Sequence, residues 1–279
     1  MNPPAVLITG CSTGIGRAAA QHLASRGHTV YATARREQSI ADLAAAGCRT
    51  LALDVTDEAS MSAAVEHVVA EAGAVGALVN NAGYSQSGAI ETVDMDDVRR
   101  QFETNVFGLM RMCQLVLPSM RASGAGRIVN ISSMGGTLTF PGGGVYHATK
   151  YAVEAISDAL RFEVKGFGVD VVVIQPGLIR TEFGATAAAE VRTDDGPYGE
   201  FNARVAQTTQ EVYEKGPLAR LGGGPETVAH AIEKAITAER PRIRYRVTPS
   251  ARLLIGARRV LPDALWDRVL SSQFPRPGR

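Results

Sequence analysis

The chain has 279 residues, 45% of them hydrophobic and 20% charged, with a formal net charge of +1. That length and apolar content suit a soluble α/β domain with a sizeable core. A nearly neutral molecule with only 6% aromatic residues has neither a strong field for polyanions nor a base-stacking surface, so no nucleic-acid partner is expected.

The charge is uneven. Residues 240–279 hold ten arginines against Asp263 and Asp267, a local charge of +8. The pattern reads as a solvated tail whose arginines flank a strand and cover a helix rather than as a binding patch. Cys11, Cys48 and Cys113 are odd in number and lack metal-ligand spacing, as in a cytoplasmic protein with reduced thiols. No basic region followed by a long apolar stretch opens the chain, and no 18 consecutive residues are apolar. Neither a signal peptide nor a membrane span is therefore expected.

Short β-rich runs at 5–9, 29–33, 50–53, 77–80, 127–131, 169–174 and 243–247 alternate with helical patterns at 16–26, 38–46, 58–71, 95–120, 146–165 and 225–238. Several strands are continuous apolar runs, as expected for parallel strands buried on both faces. The alternation predicts a Rossmann-type α/β fold: a doubly wound parallel sheet of about seven strands, helices on both faces, in a single domain. Residues 1–249 would form the catalytic domain, and 250–279 a basic, partly helical extension of it. The stretch 184–224 breaks the rhythm and reads as an irregular substrate lid inserted in that domain.

The first strand runs into Gly10-Cys11-Ser12-Thr13-Gly14-Ile15-Gly16 and then an Ala-rich helix. Glycines there let the backbone turn tightly beside a pyrophosphate, and the helix N-terminus offers free N–H groups. The second strand ends in Ala34-Arg35-Arg36, where NAD sites place a carboxylate for the ribose 2′-hydroxyl. An arginine in place of the acid favours NADP(H) over NAD(H).

Tyr146 and Lys150 stand four residues apart, on one face of a helix, with Ser133 thirteen residues upstream. A cation beside the phenol favours phenolate and lowers its pKa, which tunes it to exchange a proton with an alcohol oxygen. His147, next to Tyr146, points about 100° away on the helix and reads as structural. Ser132 is the rival to Ser133. No His, Cys or Asp cluster suggests a metal.

In the order of these motifs the chain resembles the short-chain dehydrogenase/reductase family over nearly all of residues 5–250. The motifs are the glycine loop, Asp54-Val55, Asn80-Asn81-Ala82-Gly83, Asn105, Ser133, Tyr146 with Lys150, and Pro176-Gly177 followed by Thr181. The resemblance implies roles. Asp54 and Val55 would hold adenine, and Asn81, Ala82 and Gly83 would line the cofactor trough, with Asn80 bracing strands. Pro176, Gly177, Ile179 and Thr181 would border the nicotinamide. Lys150 would bind its ribose and lower the Tyr146 pKa, Ser133 would polarise the substrate oxygen, and Asn105 would anchor a water leading to Lys150. Thr13 stands where many NADP-preferring members have a basic residue, so cofactor choice would rest on Arg35.

The glycine loop, Val30-Tyr31-Ala32-Thr33-Ala34-Arg35 and the extended tail look most like the 17β-hydroxysteroid and retinol dehydrogenase branch. The implied activity is NADP(H)-dependent interconversion of a carbonyl and an alcohol on a bulky apolar substrate that is steroid-, retinoid- or lipid-like. Reduction of carrier-bound acyl chains and a catalytically silent NADP(H)-binding regulator are the alternatives. The tail pattern would suit an amphipathic helix on an anionic membrane, or two short helices packed on the pocket; Pro262 favours packing. The resemblance also implies a homodimer or homotetramer through the helices holding Asn105 and Tyr146.

Overall fold

Side chains that alternate along each strand decide how this chain packs. The computed structural model describes residues 5–192, 196–213 and 215–278; Asp194, Asp195, Arg279 and the first four residues, all included in the sequence reading, lie outside them. Strands β1 (Val6–Ile8), β2 (Val30–Ala34), β3 (Arg49–Ala52), β4 (Ala77–Asn80), β5 (Gly126–Ile131), β6 (Val169–Pro176) and β7 (Arg244–Val247) form one sheet. The order is β3-β2-β1-β4-β5-β6-β7, and every pair is parallel. This is the doubly wound sheet that the alternation predicts, with its chain reversal between β1 and β4.

Odd and even strand positions serve different helices. Val6, Ile8, Ala32, Val79, Val129 and Ile174 face a core with α1 (Gly14–Ser25) and α9 (Pro225–Thr237). Leu7, Tyr31, Leu78, Ile128 and Val171 face the opposite core with α2 (Glu58–Ala72), α4 (Leu109–Ser123) and α5 (Gly144–Val164). Each fully buried branched side chain contributes about 1.5–3 kcal/mol, so both faces are strongly specified. α2 starts at Asp57, whose carboxylate accepts from Ser60 N–H at 2.9 Å.

Three departures from the sequence reading matter. The segment at 38–46 is a 3₁₀ helix, Glu37–Ala44. The single helix expected over 95–120 is instead α3 (Met95–Phe102), a π-helical turn at Glu103–Gly108, and α4. Apolar spacing does not distinguish α from π, because the extra residue shifts the face only once. The supposedly irregular 184–224 contains α6 (Phe183–Ala189), α7 (Gly199–Glu211) and α8 (Gly216–Arg220). In α7 only Phe201, Asn202 and Val205 are buried, too narrow a stripe to read as helical periodicity.

Beyond β7, Pro262 divides the tail into α10 (Pro249–Val260) and α11 (Asp263–Ser271). They bury Ala251, Ile255 and Trp266 against Met134, Leu138 and Leu178. No helix among the described residues is long and apolar enough to cross a membrane.

The π turn brings Gly108 hard against the loop after β3: a Cβ there would lie 2.9 Å from Cβ of Val55 and overlap the Val55 carbonyl. Gly108→Ala is therefore expected to cost about 1–3 kcal/mol, read as a lower melting temperature. An unchanged melting temperature would show that this approach is slack.

Candidate active site

The segments that follow β1, β4, β5 and β6 open into one cavity of about 940 Å³. Every position that the sequence assigns to cofactor binding or catalysis lines it, except Gly16 and Asn105. Those two lie directly behind its wall. A Cβ on Gly16 would overlap the Gly10 carbonyl and the Asn81 amide, and one on Gly83 would lie 3.0 Å from Asn105 Oδ1.

At one end the glycine loop is stitched to the end of β4. Thr9 Oγ1 accepts from the N–H groups of Asn81 and Ala82, both at 3.0 Å. Asn81 Nδ2 donates to the carbonyls of Thr9 (3.0 Å) and Gly10 (2.9 Å). Gly10 has φ +73°, and a Cβ there would approach Ala82 Cα to 2.9 Å; only glycine fits. Thr13 precedes α1 in an extended conformation and makes no side-chain capping bond. Asp54 Oδ1 accepts from Thr56 N–H (2.9 Å) and Oγ1 (2.8 Å), which orients the carboxylate at the cavity wall. Ala34 and Arg35 line the same wall. One strand over, Asn80 Nδ2 donates to Asn130 Oδ1 at 2.9 Å, joining β4 to β5.

At the other end, β5 delivers Ser133 and α5 delivers Tyr146 and Lys150. Ser133 Oγ accepts from Gly135 N–H at 3.0 Å and lines the cavity together with Tyr146. The neighbouring Ser132 also lines the cavity, and its hydroxyl is buried without a partner. Burial pushes the Tyr146 phenol up to about 12, and the Ser133 hydroxyl pulls the other way. Burial likewise pushes Lys150 down to about 8, opposed by the charge of Glu154. Lys150 Nζ donates to the Ile131 carbonyl at 2.8 Å and lies 5.8 Å from the centre of the Tyr146 ring. Desolvation thus outweighs the lowering that the Tyr146–Lys150 spacing suggests.

Asn105 sits in the π turn. Its Oδ1 accepts from Tyr84 N–H (3.1 Å), and its Nδ2 donates to the Tyr84 carbonyl (2.9 Å) and to Thr149 Oγ1 (3.1 Å). Thr149 in turn donates to the Tyr146 carbonyl at 2.7 Å. The π geometry thereby couples the loop after β4 to the helix of the phenol.

Several contributors escaped the sequence reading. Residues 84–87, Phe140, Phe183 and Tyr213 line the cavity, as does Phe274, while Leu254 and Trp266 line it as the packing of the tail on the pocket implies. The Phe183 ring is 5.5 Å from that of Tyr146, and Phe140 lies 6.2 Å from Trp266. These residues come from loops and short helices distant in sequence, and no local spacing marks them. Among the described residues no group of three His, Cys, Asp or Glu is placed to hold a metal.

Residues 4–192 match the short-chain dehydrogenase family, and the chain belongs to it. The chain is 36% identical over 97% of each sequence to a 3-ketodihydrosphingosine reductase from Bacteroides thetaiotaomicron. It is 33% identical, over 94% of each, to an NADPH-dependent 3-dehydrocapnine reductase from Ornithobacterium rhinotracheale. The crystal structure of a short-chain dehydrogenase from Streptomyces avermitilis superposes with a TM-score of 0.79 at 34% identity, covering 95% of each chain. The protein is accordingly an oxidoreductase acting on carbonyl and alcohol groups.

Burial also pushes His147 down to about 4 from an ordinary 6.5. A depressed folded pKa gives stability that is complete above the unfolded value and lost as pH falls toward the folded one. By pH 5 the loss is roughly 2 kcal/mol. Urea unfolding of the wild type and His147→Asn at pH 7.5 and pH 5 is expected to show the larger acid loss in the wild type. Equal losses would mean that His147 protonates freely in the folded chain.

Proposed function

We propose that this enzyme uses NADP(H) to interconvert a ketone and an alcohol on a long-chain, lipid-like substrate. The observation that carries the reading is that Leu254, Trp266 and Leu270 of the tail line the same cavity as Ser133 and Tyr146. An apolar wall there would take an alkyl chain while the reacting carbonyl meets the polar end. The two relatives named above, whose printed names specify lipid ketones, favour the lipid-like choice over a steroid or retinoid.

The residues fit the cofactor. Gly10, Ser12, Thr13 and Gly14 line the cavity, and the N-terminus of α1, left uncapped by Thr13, suits a pyrophosphate. Arg35 beside Ala34, with no carboxylate at the end of β2, suits a 2′-phosphate. Asp54 would hold the adenine amino group, with Val55 against the ring. Asn81, Ala82 and Gly83 would border the trough, and Pro176, Gly177, Ile179 and Thr181 the nicotinamide. When bound, the dihydronicotinamide supplies the hydride.

The chain's own groups manage the oxygen. Ser133 donates a hydrogen bond to the substrate carbonyl, stabilising the negative charge that builds on it. Tyr146, protonated well above neutral pH, gives its proton to the same oxygen. The Lys150 ammonium steadies the phenolate left behind and holds the ribose hydroxyls. Asn105 would carry a water that returns the proton to Lys150. Residues 184–224 with α10 and α11 would cover the substrate, and 250–279 would belong to the same domain.

Exposed Phe107, Met110, Tyr151 and Phe162 on the π turn, α4 and α5 would pair with a second copy, giving a homodimer or homotetramer. Arg252, Arg259 and Arg268 on the outer face of the tail are exposed. They would suit peripheral contact with an anionic surface.

The test is NADPH oxidation with methyl ketones and 3-keto long-chain amines of increasing chain length. kcat/KM should rise with length, and Tyr146→Phe should lower kcat by about 10³-fold while NADPH binding survives. No dependence on length would remove the lipid reading, and an active Tyr146→Phe would remove the mechanism. Salt that raises KM only for carrier-bound chains would favour a carrier substrate instead.

Cofactor choice is tested separately. Arg35→Ala should raise the KM for NADPH by about tenfold or more, the loss of a charge-assisted hydrogen bond, and leave that for NADH unchanged. Equal shifts for both would place the 2′-phosphate elsewhere.

A further inference from the structure

His147 has no part in the chemistry just described, yet it is 7% exposed and lines the cavity. Its ring turns away from the phenol toward the loop after β5. Nδ1 lies 3.1 Å from the Gly135 carbonyl. A carbonyl only accepts, so Nδ1 carries the ring proton. The Gly135 N–H donates to Ser133 Oγ at 3.0 Å, and Ser133 lines the cavity with Tyr146, whose phenol pKa it lowers. Residue 135 is therefore held at its carbonyl by one side chain and holds another through its amide.

The slot for the ring is built to match. A Cβ on Gly135 would come within 2.7 Å of His147 Cε1, and one on Gly143 within 2.7 Å of Nε2. The rings of Phe140 and Tyr146 lie 6.0 and 5.6 Å away. A serine side chain has three staggered positions of similar energy. Here the Gly135 amide holds Ser133 Oγ in one of them, and that amide is only as fixed as its loop.

We propose that His147 is a positioning residue: by holding the Gly135 carbonyl it fixes the Ser133 hydroxyl against the Tyr146 phenol. This rests on the roles proposed above for Ser133 and Tyr146. Leucine at 147 would fill the slot but leave the carbonyl unbonded and the loop free. Asparagine keeps an N–H donor near the place of Nδ1.

The experiment compares wild type, His147→Leu, His147→Asn, Ser133→Ala and the Ser133→Ala/His147→Leu double variant, with 2-dodecanone as the probe ketone and NADPH. His147→Leu is expected to lower kcat by about 10- to 100-fold, with melting temperature and NADPH binding little changed. His147→Asn should recover most of that loss. The double variant should be no slower than Ser133→Ala alone, because the histidine acts only through the serine. In the reverse direction, with 2-dodecanol and NADP⁺, the basic limb of the pH profile should move upward by the same amount in His147→Leu and Ser133→Ala. Nitrogen-15 spectra of the wild-type histidines should show an Nδ1-protonated ring that stays neutral at pH 6.

Losses that multiply in the double variant would overturn the proposal, as would an Nε2-protonated ring or a failure of asparagine to rescue. A fully active Ser133→Ala would instead overturn the role of Ser133, on which the proposal stands. Should His147→Leu not fold, the asparagine variant and the spectra still decide.

Discussion

One face of α5 carries the row Tyr146, Lys150, Glu154 and Asp158, spaced by four residues, and the rest of the site is registered against it. Lys150 bonds the last residue of β5. Glu154 accepts from Gln175 of β6 (3.0 Å) and, with Asp158, from Arg244 of β7 (2.8 and 2.7 Å). The row that ends at the phenol thus bridges three strands, and a slip of α5 along the sheet would break all of these bonds together. Buried charge is tolerated there because it is fully partnered; Glu154 is 7% exposed but has both carboxylate oxygens engaged.

The same burial sets the protonation of both groups. A phenol held near 12 stays protonated at neutral pH, though as a weaker acid than a free phenol, and an ammonium held near 8 remains mostly charged there. Glu154 opposes the discharge of Lys150, so the structural tie between α5 and β7 also has an electrostatic role. Packing and chemistry are here the same set of contacts.

Much of this was legible in the sequence because it is written in local rules. Strand runs with helices between them give the sheet, glycines before an Ala-rich helix mark the turn at β1, and a four-residue spacing places Lys150 on the face of Tyr146. What stayed hidden depends on long-range geometry. The π turn at Asn105 follows from its bonds to Tyr84 and Thr149, neither of which a helical pattern encodes. α7 buries too little to be periodic. For His147, helix geometry gives only its direction and not the slot that Gly135 and Gly143 leave for its ring. The depressed Tyr146 pKa expected from its neighbour was likewise a pairwise estimate, and it omitted the desolvation that both groups share.

The tail helices have a further consequence. α10 and α11 lie outside the sheet and are anchored through few fully buried side chains, chiefly Ala251, Ile255 and Trp266. The cofactor loop, by contrast, is stitched into β1 and β4 atom by atom. The two sides of the cavity therefore differ in how much they can give when a side chain changes. The dinucleotide side is frozen by backbone clearances, whereas the distal wall can drift, lengthen or be exchanged without disturbing the register of α5. A substitution in the tail wall therefore has neighbours that can shift, whereas one at Gly10 meets backbone that cannot.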